Sequence, residues 1–129
     1  TVPQHETGYA TIAEDLLRLA GKRDLAKAVF LFHAPPYKTK LDRAALDDKL
    51  VDRVPVDVHV GSMAVREFIE IRQPLLTLHG HVHESTRLTG SWRDQIGRTL
   101  CFSAAHDGLE LALVRFDLEH PEDAVRELI

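Results

Sequence analysis

Cysteine is all but absent: Cys101 stands alone among 129 residues, so no intrachain disulfide can form. A lone thiol inside an apolar run points to a buried structural cysteine and a reducing compartment, and the chain is expected to be cytoplasmic. Long apolar runs are missing too. None approaches the roughly 20 residues that a bilayer-spanning helix needs, and no signal-peptide pattern opens the chain, so no membrane partner is expected. Basic clusters are a third absence: 16 Lys and Arg stand against 20 Asp and Glu, and the formal charge is -4. No nucleic-acid partner is expected on that balance. The chain opens on Thr1 without a methionine, which fits an internal start, a proteolytic fragment or a trimmed chain. No internal repeat or low-complexity segment occurs. What remains is ordinary globular composition, 44% hydrophobic and 28% charged, in a length suited to one domain with a core and not to two.

Residues 1–9 carry Pro3 and Gly8 without periodicity and read as an irregular lead-in. Thr11 with Glu14 three residues on matches a capping box, and Ile12, Leu16, Leu19 and Ala20 recur at helical spacing until Gly21. This predicts a helix over 11–20 that covers one face of a sheet. Ala28-Val29-Phe30-Leu31-Phe32 is a continuous apolar run, expected to form a central strand buried on both faces, with Pro35 and Pro36 ending its pairing. The segment from Tyr37 to Val60 is less regular, and Leu46 and Leu50 suggest a turn or two of helix among Asp42, Asp47, Asp48 and Asp52. Ala64, Val65, Phe68 and Ile71 give a helix over 62–72 its apolar stripe, and Pro74 stops it. A strand over 75–79 follows, so strand, helix and strand form a crossover that makes a parallel pair. Hairpins are expected thereafter. Thr86 to Thr89 alternates, and Gly90, Ser91 and Gly97 bracket a loop carrying Trp92. Strands over 99–104 and 109–118 flank the turn signal His106-Asp107-Gly108. Pro121 to Ile129 reads as a helix turn or an edge strand.

The chemistry concentrates in Leu78-His79-Gly80-His81-Val82-His83-Glu84-Ser85, where an apolar strand empties into polar residues. Side chains at i and i+2 of an extended segment share a side, so His81 and His83 can turn their imidazoles toward one point, while His79 alternates into the core. Gly80 allows a sharp backbone turn. Two imidazoles at this spacing suit a metal ion without establishing one. His33 also stands just beyond a strand, and in open α/β sheets ligands collect at the carboxyl ends of strands. That shared location places His33, His81 and His83 in one candidate metal site. His59 and Ser62 lie where a helix begins, and a helix N-terminus offers unpaired N–H groups to an anion. Ser62 is therefore a candidate cap or phosphate contact, and His59 a candidate substrate contact. Lys38 and Lys40, just after the prolines, would suit a phosphorylated substrate. His106 reads as a turn residue, and His5 and His120 have no supporting context.

The stretch from Gly61 to Ile69, followed by Gln73-Pro74-Leu75-Leu76 and Gly80-His81-Val82-His83-Glu84-Ser85, and preceded by Phe32-His33-Ala34-Pro35-Pro36-Tyr37, resembles the C-terminal half of a calcineurin-like metallophosphoesterase. The resemblance runs from about residue 28 to 85. It implies an α/β fold, the C-terminal half of an α/β/β/α sandwich with a mixed sheet and helices on the outer face, residues 1–129 being a single partial domain. It implies that His33, His81 and His83 are metal ligands of a two-metal centre of manganese, iron or zinc. Glu84 or backbone carbonyls would fix the histidine tautomers. The implied reaction is hydrolysis of a phosphomonoester or phosphodiester in a phosphorylated small molecule. The family's Asp-x-His, Gly-Asp and Asn-His motifs have no counterpart before residue 28, so no catalytic residue is assigned. The chain alone is expected to be inactive or a poor enzyme unless a homodimer or a complementary N-terminal half supplies the rest. Ser103-Ala104-Ala105-His106-Asp107-Gly108 departs from the family's Asn-Pro-Gly sequence near that point. The alternative expectation is a non-catalytic fragment or interaction module that pairs through exposed sheet edges.

Overall fold

A computed structural model describes the backbone of residues 4–51 and 54–129 and the side chains of residues 11–45 and 58–129. The elements run α1 Gln4–Ala20, β1 Val29–Leu31, β2 Arg43–Val51, β3 Val54–His59, α2 Met63–Arg72, β4 Leu76–His79, α3 Ser85–Thr89, β5 Arg93–Ile96, β6 Thr99–Ser103, β7 Ala112–Arg115 and β8 Val125–Leu128. The fold is mixed α/β. β1, β4, β6 and β5 lie side by side in one mixed sheet, and β2–β3 and β7–β8 form two antiparallel pairs. β1 runs parallel to β4, with Val29, Phe30 and Leu31 opposite Leu76, Thr77 and Leu78, as the crossover reading requires.

Strand alternation sorts the main sheet into two faces. Phe30, Thr77 and Cys101 share one face in register, and there Phe30 and Cys101 pack with Leu16 and Ala20 of α1 and Val65, Phe68 and Ile69 of α2. Phe68 meets Phe30 edge to face at 5.1 Å between ring centroids. Leu76, Leu78, Leu100 and Phe102 occupy the opposite face, covered by Val114, Phe116 and Ala124. Arg93 fastens this second layer: its guanidinium stacks 5.0 Å from the Phe102 ring centroid and donates to the carbonyls of Ala124 and Glu122.

α2 follows its sequence closely. Ser62 is its N-cap, accepting from the Val65 N–H at 3.1 Å, and Gln73 ends it in the left-handed region just before Pro74. Its buried stripe is Ala64, Val65, Phe68 and Ile69; Ile71, expected inside, is exposed, because position 71 rotates off the sheet-facing side. Gly61 is required at the entry to α2. A β-carbon there would lie 2.7 Å from the Pro35 carbonyl oxygen. The prolines do end the β1 pairing. The backbone around them still makes one parallel bridge, with the Ser62 N–H donating to Pro35 and the Tyr37 N–H to Ser62.

Several expectations are corrected. α1 begins at Gln4, so most of the expected lead-in is helical; residues 1–3 and the His5 side chain lie outside the described residues. β1 is an edge strand and not a central one: Val29 and Leu31 are exposed, Leu31 by 79%, because β7–β8 covers β4 and β6 and stops short of β1. The segment expected to be helical around Leu46 and Leu50 is strand β2, paired with β3; its side chains over 46–51 and residue 52 lie outside the described residues. Thr86 to Thr89 is helical, since Ser85 and Thr89 hydroxyls bind the Lys40 carbonyl and curl the segment onto that loop. The loop carrying Trp92 leads directly into β5, which pairs with β6 through the turn at Gly97. No hairpin forms at His106-Asp107-Gly108. Both edges of β6 are already taken by β4 and β5, so β7 pairs with β8 instead. Residues 121–129 are both of the alternatives, a 3-10 turn and then a strand.

Cys101 is fully buried beneath the helices, and burial pushes its thiol up to about 11. The native protein should therefore fail to react with a thiol-specific disulfide reagent at pH 8 and react once when unfolded in urea. Rapid labelling of the folded chain would overturn this placement of β6.

Candidate functional site

β1 and β4 end on the same edge of the sheet, and two backbone bonds hold their ends together: Phe32 N–H to Leu78 at 2.9 Å and Gly80 N–H to His33 at 3.2 Å. This brings His33 and His81 side by side, with ring centroids 4.5 Å apart. His83 is exposed and lines, with His81, a cavity of about 300 Å3 that also meets Gly80, His106 and Glu110. His33 does not line that cavity. Among the described residues no hydrogen bond engages the ring nitrogens of His33, His81 or His83, while His59, His79, His106 and His120 all have a partner. Glu84 thus fixes none of the three tautomers. Among the described residues no group of three or more His, Cys, Asp or Glu is placed to hold a metal ion.

The histidine segment is not extended beyond His79. β4 ends there, and His83 and Glu84 form a turn into α3. The left-handed residue is His81, at φ 73, and not Gly80. A β-carbon disfavours that region by about 1 kcal/mol or more, so the conformation is held by its surroundings. The Val82 N–H donates across it to the Gly80 carbonyl at 2.9 Å, and His79, Val82 and Ser85 on either side are buried. His79 is buried as expected, stacked on Phe32 at 5.6 Å, with Nδ1–H donating to the Ala34 carbonyl and Nε2 accepting from the Thr77 hydroxyl. Buried Ser85 donates to the Lys40 carbonyl at 2.7 Å and accepts from the Arg43 N–H at 3.0 Å.

That contact joins the histidine turn to a second polar centre, in which sequence reasoning named His59, Lys38 and Lys40 and missed Asp42. Asp42 is fully buried, and its carboxylate accepts from the backbone N–H groups of Lys38, Thr39 and Gly61 and from His59 Nδ1 at 2.6 Å. His59 faces a cavity of about 390 Å3 together with Lys38, Lys40, Arg43, Thr89 and Asp94. The Asp42–His59 pair spans 17 residues and has no motif spacing; the one sequence signal was an acidic residue just before β2. Ser62, the other candidate substrate contact, spends its hydroxyl on the helix cap and does not line this cavity. His106, read as a turn residue, lies on the histidine cavity with Nε2 2.9 Å from Glu110.

An uncharacterized protein of Methanocaldococcus jannaschii, MJ1162, is 38% identical to this chain over an alignment of 77 residues, and the match covers 57% of the chain and 29% of that protein. The chain thus spans less than a third of that relative's length. No family model and no solved structure matches. No described helix is long and apolar enough to cross a membrane.

Desolvation holds the His79 imidazole at about 4, below its ordinary 6.5, against a smaller upward pull from the Ala34 carbonyl. Above pH 6.5 folded and unfolded chains carry this ring neutral; as pH falls toward 4, the unfolded chain takes up a proton that the folded chain refuses. Stability should therefore drop across that window, by about 3 kcal/mol from this group at pH 4. Urea denaturation at pH 7 and pH 4 should show the loss, and His79→Gln should shrink it. An unchanged pH dependence in that variant would exclude His79 as its source.

Proposed function

We propose that this chain is the C-terminal portion of a metallophosphoesterase-type α/β/β/α sandwich, in which His33, His81 and His83 contribute to a two-metal centre that hydrolyses a phosphomonoester or phosphodiester. The observation that carries the reading is the meeting of His33 and His81 at the ends of adjacent parallel strands, with no hydrogen bond on their ring nitrogens among the described residues. The layering also supports it, since helices cover one face of the main sheet and a second sheet covers part of the other.

Three imidazoles suit manganese, iron or zinc, and bound divalent ions would supply Lewis-acid polarisation of the phosphoryl group. The donor set fits such ions only in part. Glu110 borders the cavity of His81 and His83, yet among the described residues no three such groups are placed to hold an ion, so the remaining ligands would come from another segment or another chain. Within this chain, His33, His81 and His83 bind through neutral imidazoles, and buried His79 packs beneath the turn and fixes its direction. His59, held by Asp42, contacts the substrate, while Ser62 sets the start of α2. The substrate is a phosphorylated small molecule, and the isolated chain has little or no activity.

A second reading, an interaction module, is favoured by β1 itself. Its outer edge is unpaired among the described residues, and Val29 and Leu31 present an apolar surface beside it. A complementary N-terminal half or a second copy would cover both.

Two measurements separate these readings. After loading with manganese and dialysis, the chain should retain about one ion, fewer than a complete two-metal site; His81→Ala should abolish retention, and hydrolysis of an aryl phosphodiester should stay at background. Retention indifferent to His81 would end the metal reading, and His81-dependent hydrolysis by the pure chain would end the claim of an incomplete site. For the second reading, light scattering should show self-association that Leu31→Lys weakens; a monomer at every concentration would exclude pairing between copies.

A further inference from the structure

The cavity beside His59 is built differently from the histidine turn and has its own chemistry. Among the described residues three cationic side chains, Lys38, Lys40 and Arg43, and one carboxylate, Asp94, border it, and Arg43 is already engaged by another partner. Asp94 is already engaged, accepting from the Lys40 N–H at 2.9 Å and from the Gln95 N–H at 2.7 Å. Backbone bonds thus hold the Asp94 carboxylate in place at the cavity's edge. Among the described residues Leu88 is its one apolar side chain, and the Tyr37 ring stands behind it, 6.1 Å from the His59 ring and 5.7 Å from the Lys38 ammonium.

Each wall is held in place. Asp42 fixes the backbone of Lys38 and Thr39 and orients the His59 ring. Nδ1–H faces the carboxylate, and among the described residues Nε2 has no hydrogen-bond partner. Ser85 and Thr89 hold the Lys40 carbonyl, and Ser85 holds the Arg43 N–H. A volume of about 390 Å3 accommodates a small polar metabolite.

From this preorganised, cationic pocket, we infer that the chain binds a phosphoryl or pyrophosphoryl anion between Lys38, Lys40 and His59, with Asp42 as a positioning residue. The site rests on the proposed contact of His59 with a phosphorylated substrate and deepens it, and it requires no metal ion. It would hold the non-reacting anionic group of a doubly charged substrate, next to the histidine turn to which Ser85 ties it.

The test uses EDTA-treated protein titrated with inorganic pyrophosphate, and separately with orthophosphate, by calorimetry and phosphorus NMR at low ionic strength. Saturable binding is expected, reduced about tenfold or more in Lys38→Ala/Lys40→Ala, whose side chains are exposed and whose folding is checked by circular dichroism, and unchanged in His81→Ala. Preference for pyrophosphate would identify a linked diphosphoryl ligand, and equal binding of orthophosphate a single phosphoryl group. His59→Gln, checked for folding by circular dichroism, should weaken binding severalfold. No saturable binding, or binding lost in His81→Ala and kept in the lysine variant, would overturn the site. The latter result would still leave the histidine reading standing.

Discussion

Asp42 is buried completely, and a carboxylate in that position is tolerable only because four N–H groups converge on it. Those donors come from three parts of the chain: the turn after Pro36, the end of β3, and the glycine that opens α2. The carboxylate therefore joins the segment leaving β1, the β2–β3 hairpin and the start of α2 at one point. The Val60 N–H adds a bond to the Asp42 carbonyl at 2.9 Å, closing the same corner through the backbone. A charge buried in this way leaves little tolerance for partial assembly, because each missing donor would expose an unmet desolvation cost.

Backbone strain falls next to this corner and next to the histidines. Lys38 has φ 56 and His81 has φ 73, both left-handed without being glycine. Each is held by neighbours that are themselves bonded. Lys38 precedes Thr39, whose hydroxyl donates to the Pro36 carbonyl at 2.8 Å, and its own carbonyl accepts from the Arg66 guanidinium at 2.9 Å. His81 lies between buried His79 and buried Val82. Strained residues at both polar centres, linked through Ser85, make the sheet's carboxyl edge one preorganised surface.

Legibility in the sequence followed the range of the interactions. α2 was readable because its cap at Ser62 and its stop at Pro74 are local, and the parallel pairing of β1 with β4 followed from connection rules. A continuous apolar run marks a strand, yet it does not say whether neighbours cover both faces, so β1 looked central and lies at an edge. Leu46 and Leu50 have helical spacing, but pairing with β3 decided the segment. The alternation over Thr86 to Thr89 lost to side-chain bonds with Lys40, forty-odd residues away in the chain. His33 and His81 were placed at one edge by the rule on strand ends, and they meet there. Asp42 was invisible as a site residue, since nothing in its spacing from His59 marks a dyad.

The position of β1 bears on how the site assembles. Its partner β4 arrives only after the whole β2–β3 hairpin and α2, whereas β5 and β6 close across a turn at Gly97. The long closure makes β1 costly to dock, and an edge strand of three residues is readily released again. His33 rides on that strand's end, while His81 and His83 belong to the part anchored by β4 and β6. An ion bridging the two groups would act as a clasp on β1, so occupancy of the histidines and closure of the sheet would rise and fall together.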